Sequence, residues 1–301
     1  MEDTRSKRYS LEEAASIVKN GDVVGIGGST FYRRPMAVIR ELVRRRVRNL
    51  TLVVLTVGLE TDLLVGAGCV EHIRSSYFGS ESLGLAPQVR SRAENGDILI
   101  TQETEITLAK GLRAARDRVG FMPVHGLLDT DLMEVRPDLQ LVKCPYTDAS
   151  YVAVPPISID VALLHAPLAD EFGNAYLGGH LGLDPVLAAT AKNCILSAER
   201  IASSEEVVRA GIDLRGDSVG ILLQAPYGAH PTSCYPCYSA DVAHLLEYTE
   251  YCRRGEFGKY LCDYVLDSVK LDSYLQKVGL ELDKGFNAVD SRMSKLVDMS
   301  R

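Results

Sequence analysis

The stretch Asp22-Val23-Val24-Gly25-Ile26-Gly27-Gly28-Ser29-Thr30-Phe31-Tyr32-Arg33-Arg34-Pro35 decides how the rest of the chain is read. A short apolar segment meets a glycine pair, and Met36, Ile39, Val43 and Val47 then recur at helical spacing behind Pro35. This predicts a buried strand, a tight turn and a helix. Upstream, Ser10-Leu11-Glu12-Glu13 has the form of a capping box, opening a helix through Ala14, Ile17 and Val18 that stops at Asn20-Gly21. Downstream, Leu50 to Leu55 is an apolar, β-branched-rich run with Thr51 its one polar residue, as expected of a strand covered on both faces.

The alternation continues. Strands are expected at Glu71 to Tyr77, Asp97 to Thr101, Val161 to His165, Cys194 to Ala198 and Val219 to Leu223. Helices are expected at Leu63 to Ala67, Pro87 to Asn95 and Thr107 to Arg118, and from Asp184-Pro185, read as an N-cap followed by a first-turn proline. Such alternation implies right-handed crossovers and an α/β fold with an open, mostly parallel sheet and helices on both faces. Pro123 to Pro156 is the least regular stretch, and residues 241–301 read as mostly helical. With no linker or repeat in view, residues 1–301 are expected to form a single domain.

Composition excludes several classes. The chain of 301 residues is 46% hydrophobic and 24% charged, with a net charge of −7, the opposite of a nucleic-acid-binding surface. The local run Arg44-Arg45-Arg46 with Arg48 suits the negative end of a helix. The charged N-terminus is no signal peptide, no apolar run reaches membrane-span length, and seven scattered cysteines suit a reducing compartment. A cytoplasmic protein is expected.

The glycine turn is not a nucleotide loop. Thr30 stands where the dinucleotide fingerprint needs its third glycine, and no Gly-Lys-Ser/Thr follows. What Gly25, Gly27, Gly28 and Ser29 offer is close backbone approach, with amides able to face a developing oxyanion; a tight turn alone is the competing reading.

The same stretch resembles the N-terminal glycine signature of family I CoA-transferase α subunits, in the glutaconate CoA-transferase branch. Gly79 with Leu83-Gly84-Leu85-Ala86-Pro87, Phe121-Met122-Pro123, His165 with Gly173-Asn174, Ala198-Glu199-Arg200-Ile201 and Ala225-Pro226-Tyr227-Gly228-Ala229-His230-Pro231 are similar to that branch, in order. The resemblance departs at Gly25, Ser29 and Arg33. It implies a CoA-transferase-like fold, acyl-CoA and carboxylic acid substrates, coenzyme A thioester as substrate with no bound cofactor, and a separately encoded β subunit. In the family the nucleophilic glutamate lies in the β half. Ala93-Glu94-Asn95-Gly96 mimics its motif but reads better as a helix end, so Glu94 is set aside.

Glu103 and Glu105 follow a strand end, where open sheets place ligands, although acidic residues there also suit the start of a helix. Glu103-Thr104-Glu105 through Lys110-Gly111-Leu112 resembles a CoA-transferase-like hydrolase that opens a ring in steroid degradation. That resemblance puts an essential glutamate at Glu105. Hydrolysis through Glu105 is therefore the alternative to CoA transfer, and a non-catalytic acyl-CoA-binding subunit is the alternative of another class. Arg33, Arg34, His165 and His230 are further candidates for substrate contact, each weighed against a solvated arginine or a buried structural histidine. Cys234-Tyr235-Pro236-Cys237 has redox or zinc spacing, but its loop context argues against both, and no metal is expected.

Overall fold

The computed structural model describes residues 7–268 and 270–280. Among the described residues eleven strands form: β1 Val23–Ile26, β2 Leu50–Thr56, β3 Val70–Tyr77, β4 Leu99–Gln102, β5 Met122–Val124, β6 Gln140–Lys143, β7 Ser150–Val154, β8 Ile159–Asp170, β9 Ala175–Tyr176, β10 Ala191–Ala202 and β11 Ile221–Gln224. The main sheet runs β11-β10-β8-β1-β2-β3-β4, all neighbours parallel, with β9 antiparallel on β8. The expected α/β architecture is therefore present.

Alternate residues of each central strand enter two separate cores. Leu50, Leu52 and Val54 pack with Met36, Ile39 and Leu42 of the helix Met36–Arg44, and with Leu63 and Leu64 of Leu59–Gly66. Val53 and Leu55 pack on the other face with Leu108 and Leu112 of Glu105–Arg116 and Leu187 of Asp184–Thr190. Burial on both faces is why β2 reads as an almost continuous apolar run, with Thr51 its one internal polar residue. Met36–Arg44 is sandwiched again from outside. Arg40 stacks on the Tyr274 ring at 3.6 Å from its centroid and donates to the His230 carbonyl.

Three readings need correction. The first helix spans only Leu11–Ala15, although the capping box at Ser10 is present in full. Asp184 is the first residue of its helix rather than the cap, and its carboxylate is used elsewhere. The irregular stretch holds a small antiparallel sheet, β5-β7-β6, docked on Glu105–Arg116, where Gly111 admits Ile157 against the backbone. Beyond Asp241 the described residues are mostly helical, and 281–301 lie outside them.

Candidate active site

The parallel strands bring their carboxyl ends to one rim, the edge where open α/β sheets hold ligands. Over the ends of β2, β3 and β4 lies an open cleft of about 510 Å³ lined by Thr56, Ser76, Tyr77, Glu81, Glu103, Thr104 and Glu105. Two of the sequence candidates thus meet at one place.

Their situations differ. Glu105 is exposed, at the first position of Glu105–Arg116. Thr104 caps that helix, accepting from the Thr107 amide at 3.1 Å, while its own amide donates to Thr107 Oγ1 at 2.8 Å. The cap fixes the chain direction, and Glu105 stands at the positive end of the helix. Glu103 is sunk beneath it. Arg74 grips Oε1 through Nε at 2.8 Å and Nη2 at 2.5 Å, and Arg136 Nη1 lies 2.9 Å from Oε2. The same nitrogen donates to the Gln102 carbonyl at 2.7 Å, and Arg136 is itself held by Asp138. Glu103 therefore floors the cleft with Oε1 bonded to Arg74 and Oε2 paired with Arg136 by charge but without a hydrogen-bond partner, and it pins the end of β4.

The glycine turn is fully engaged with its own surroundings. Gly27 donates to the Leu163 carbonyl at 2.9 Å, Gly28 to Asp184 Oδ1 at 2.8 Å, Ser29 to the Tyr32 carbonyl at 2.9 Å and Thr30 to Thr56 Oγ1 at 2.9 Å. Gly25 lies within the ladder between β2 and β8. Space explains the glycines: a Cβ on Gly27 would sit 2.6 Å from Asp184 Oδ1, and Gly28 has φ +76 beneath the Tyr32 and Arg33 carbonyls. No amide from Gly27 to Thr30 is left to face an oxyanion here, so that expectation is corrected.

Arg33 and Arg34 are fully buried, not at a ligand surface. Arg33 joins Asp184 at 2.8 Å and the carbonyls of His165 and His180, each at 2.9 Å. It fills the point between β1 and β8 where strand order reverses, the usual crevice of such sheets. Arg34 donates to the Gly27 and Thr56 carbonyls and pairs with buried Glu60 at 3.3 Å. Burial pulls its guanidinium below the usual range against the opposing pull of Glu60. These are braces, and charge-assisted ligand binding by either is not what this geometry provides.

Both histidines are interior. His165 hydrogen-bonds Ser197 at 2.8 Å and Glu199 at 2.7 Å; His230 hydrogen-bonds Tyr274 at 2.8 Å and Asp241 at 3.1 Å. This is the structural alternative weighed above. Glu199 also accepts from the Tyr227 amide and the Tyr238 hydroxyl. His165, Glu199 and Cys234 place ligand atoms within 4.8 Å of one another, but the imidazole and carboxylate satisfy each other without a cation. Glu94 sits on an exposed helix end paired with Arg90 at 2.8 Å, consistent with setting it aside.

Sequence reasoning missed Asp184, Arg74, Arg136 and Glu199. Asp184 was visible as Asp-Pro, a local signal that masks a partner 156 residues away at Gly28. Arg136 lies in the irregular stretch and carried no signal.

The Coenzyme A transferase family profile matches residues 8–211. The chain is 34% identical over 266 residues to the cholesterol ring-cleaving hydrolase IpdA subunit of Rhodococcus jostii, covering 83% of this chain and 88% of that one. It is 30% identical over 295 residues to the A-type subunit of glutaconate CoA-transferase from Acidaminococcus fermentans, covering 91% and 92%. The crystal structure of glutaconate coenzyme A-transferase from that organism superposes with a TM-score of 0.84 at 28% identity, covering 91% of this chain and 93% of that chain. The chain also matches an uncharacterized protein of Archaeoglobus fulgidus at 32% identity, spanning 62% of its length. On the profile match and these relatives, the chain belongs to the coenzyme A transferase family.

Proposed function

We propose that this chain is the α subunit of a heteromeric CoA-transferase, moving CoA between an acyl-CoA and a carboxylic acid at a site completed by a separately encoded β subunit. Family membership, and relatives named as A-type subunits of such enzymes, support the class. The observation that carries the site is the cleft over β2, β3 and β4, with the exposed Glu105 at its mouth. In transfer, a carboxylate attacks the thioester carbonyl and expels CoA thiolate, giving an acyl-enzyme anhydride that the thiolate reopens to an enzyme thioester. The partner supplies that carboxylate on this reading, and the present chain supplies one wall of the cleft.

The exposure of Glu105 favours a second reading, ring-opening hydrolysis of a cyclic acyl-CoA. There Glu105 takes a proton from water as the water attacks, general-base help worth about 10²–10⁴-fold. One experiment separates the two. The chain is co-expressed with its partner, and Glu105→Gln is assayed for thioester turnover and for hydroxylamine trapping followed by peptide mapping. Transfer requires a modified carboxylate on the partner and a variant retaining most activity. Hydrolysis requires a variant reduced a hundredfold or more, on the order of the general-base contribution, with no trapped thioester. Robust turnover by the isolated chain would overturn the heteromeric reading altogether.

A further inference from the structure

Away from the cleft, Cys234 and Cys237 close a tight turn. The Cys237 amide donates to the Cys234 carbonyl at 2.7 Å, and the Cys234 amide to the Tyr238 carbonyl at 3.0 Å. An i to i+3 hydrogen bond of this kind holds the two Cα atoms within about 7 Å, which covers the span a disulfide needs. Both cysteines are free thiols. Cys237 is partly exposed on a cavity of about 460 Å³ that it shares with Arg200, Tyr176 and Pro236. Cys234 is buried against the Glu199 and His165 pair.

We infer that Cys234 and Cys237 form a redox-active dithiol, oxidised to an intramolecular disulfide by low-molecular-weight disulfides. Cys237, the accessible partner with a guanidinium beside it, attacks one sulfur of the reagent and releases the other half as a thiol. Cys234 then attacks the Cys237 sulfur and expels the second half. Two protein thiols become one disulfide, the reagent takes up both electrons, and two reagent thiols leave. The proton that Cys234 gives up passes to the departing reagent thiolate, so that the second half also leaves as a thiol. Burial pushes the Cys234 thiol well above the usual range, which assigns it the second step. The sequence context alone argues against a redox role because the pair lies in a loop; the turn that closes it supplies the geometry that context lacks.

The turn is tied to the glycine loop. Ser233 donates from its amide at 2.7 Å and its hydroxyl at 2.8 Å to the Phe31 carbonyl, and its own carbonyl accepts from the Arg33 amide at 2.7 Å.

The test treats the full chain, with any subunit that co-purifies, with oxidised glutathione and then measures intact mass and a peptide map. A loss of about 2 Da mapped to a Cys234–Cys237 link, reversed by dithiothreitol and absent in Cys237→Ser, supports the inference. Glutathione adducts confined to the exposed Cys262, or a 2 Da loss (about one disulfide) that survives Cys237→Ser, would overturn it. Cys252→Ser, outside the turn, serves as a control that should react as the parent does.

Discussion

Asp184 is the residue on which the glycine loop depends, and changing it tests the reading of Arg33 as a brace. Its Oδ1 accepts the Gly28 amide and its Oδ2 the Arg33 guanidinium, each at 2.8 Å, with both charged side chains wholly inaccessible. Asp184→Asn keeps an acceptor for Gly28 but leaves Arg33 as a buried charge facing an amide. Breaking one side of such a pair costs about 3–5 kcal/mol. Arg33 retains the His165 and His180 carbonyls, so the lower end, roughly 3 kcal/mol, is expected. Asp184→Ala also orphans the Gly28 amide, adding about 1–3 kcal/mol. Both figures are large against a typical total of about 5–15 kcal/mol. Urea unfolding followed by circular dichroism reads the effect: at a slope of roughly 3 kcal/mol per molar, Asp184→Asn shifts the midpoint down by about 1 M. Combining Asp184→Asn with Arg33→Met should recover part of the loss, because the uncompensated charge is then gone. A midpoint unchanged in Asp184→Asn would refute the reasoning. So would Arg33→Met that leaves stability intact while abolishing thioester binding, since that outcome returns Arg33 to the ligand.

Gly28→Ala and Gly84→Ala separate crowding from backbone strain. Both glycines have positive φ, but only Gly28 is roofed by carbonyls, so thermal unfolding should show about 1 kcal/mol lost at Gly84 and at least twice that at Gly28. Arg136→Leu leaves Glu103 with Arg74 alone and frees the Gln102 carbonyl; a loss of about 3 kcal/mol in urea is expected, and an unchanged midpoint would show that the end of β4 holds itself. Burial pushes the Asp62 carboxyl from 3.8 up to about 7, against hydrogen bonds from Tyr248, Val89 and Gln88. The folded state then holds this proton more tightly than the unfolded chain. That contribution is complete below pH 3.8 and is lost as pH rises through about 7, on the order of 4 kcal/mol in all. Asp62→Asn should flatten the decline between pH 5 and pH 8, and a parent stability that does not fall over that interval refutes the assignment.

What could be read from the sequence was whatever local pattern determines. β2, broken only by Thr51 before its Thr56 end, and the core of β8 are almost wholly apolar because both faces are covered, and Ser10 caps its helix through Glu13, three positions away. The small sheet was not legible. Gln140–Lys143 is a mixed polar edge strand with a largely exposed pattern, and nothing in four such residues distinguishes strand from loop. The site candidates failed for a related reason. Arg33 and Arg34, adjacent charges beside glycines, look solvated, and their burial is decided by Asp184, Glu60 and two carbonyl groups far along the chain. Glu103 and Glu105 look alike in sequence and differ only because Arg74 and Arg136 reach one of them.

That division has a consequence for the proposed chemistry. Whichever carboxylate attacks, the oxyanion that forms needs donors, and the glycine turn has spent the amides from Gly27 to Thr30. At the cleft, the Glu105 and Ile106 amides in the first turn of Glu105–Arg116 have no intrahelical acceptor, whereas the Thr107 amide is already capped. A helix start aimed at a developing negative charge is a sound arrangement, but it places Glu105 itself beside the oxyanion, where a second negative charge would repel it. A general base avoids this conflict, because it is neutralised by the proton it takes as the oxyanion develops. An ionised spectator does not. If transfer runs on the partner's carboxylate, replacing Glu105 with glutamine removes that repulsion and should therefore leave most or all of the turnover, whereas the same change should cut hydrolysis about a hundredfold or more.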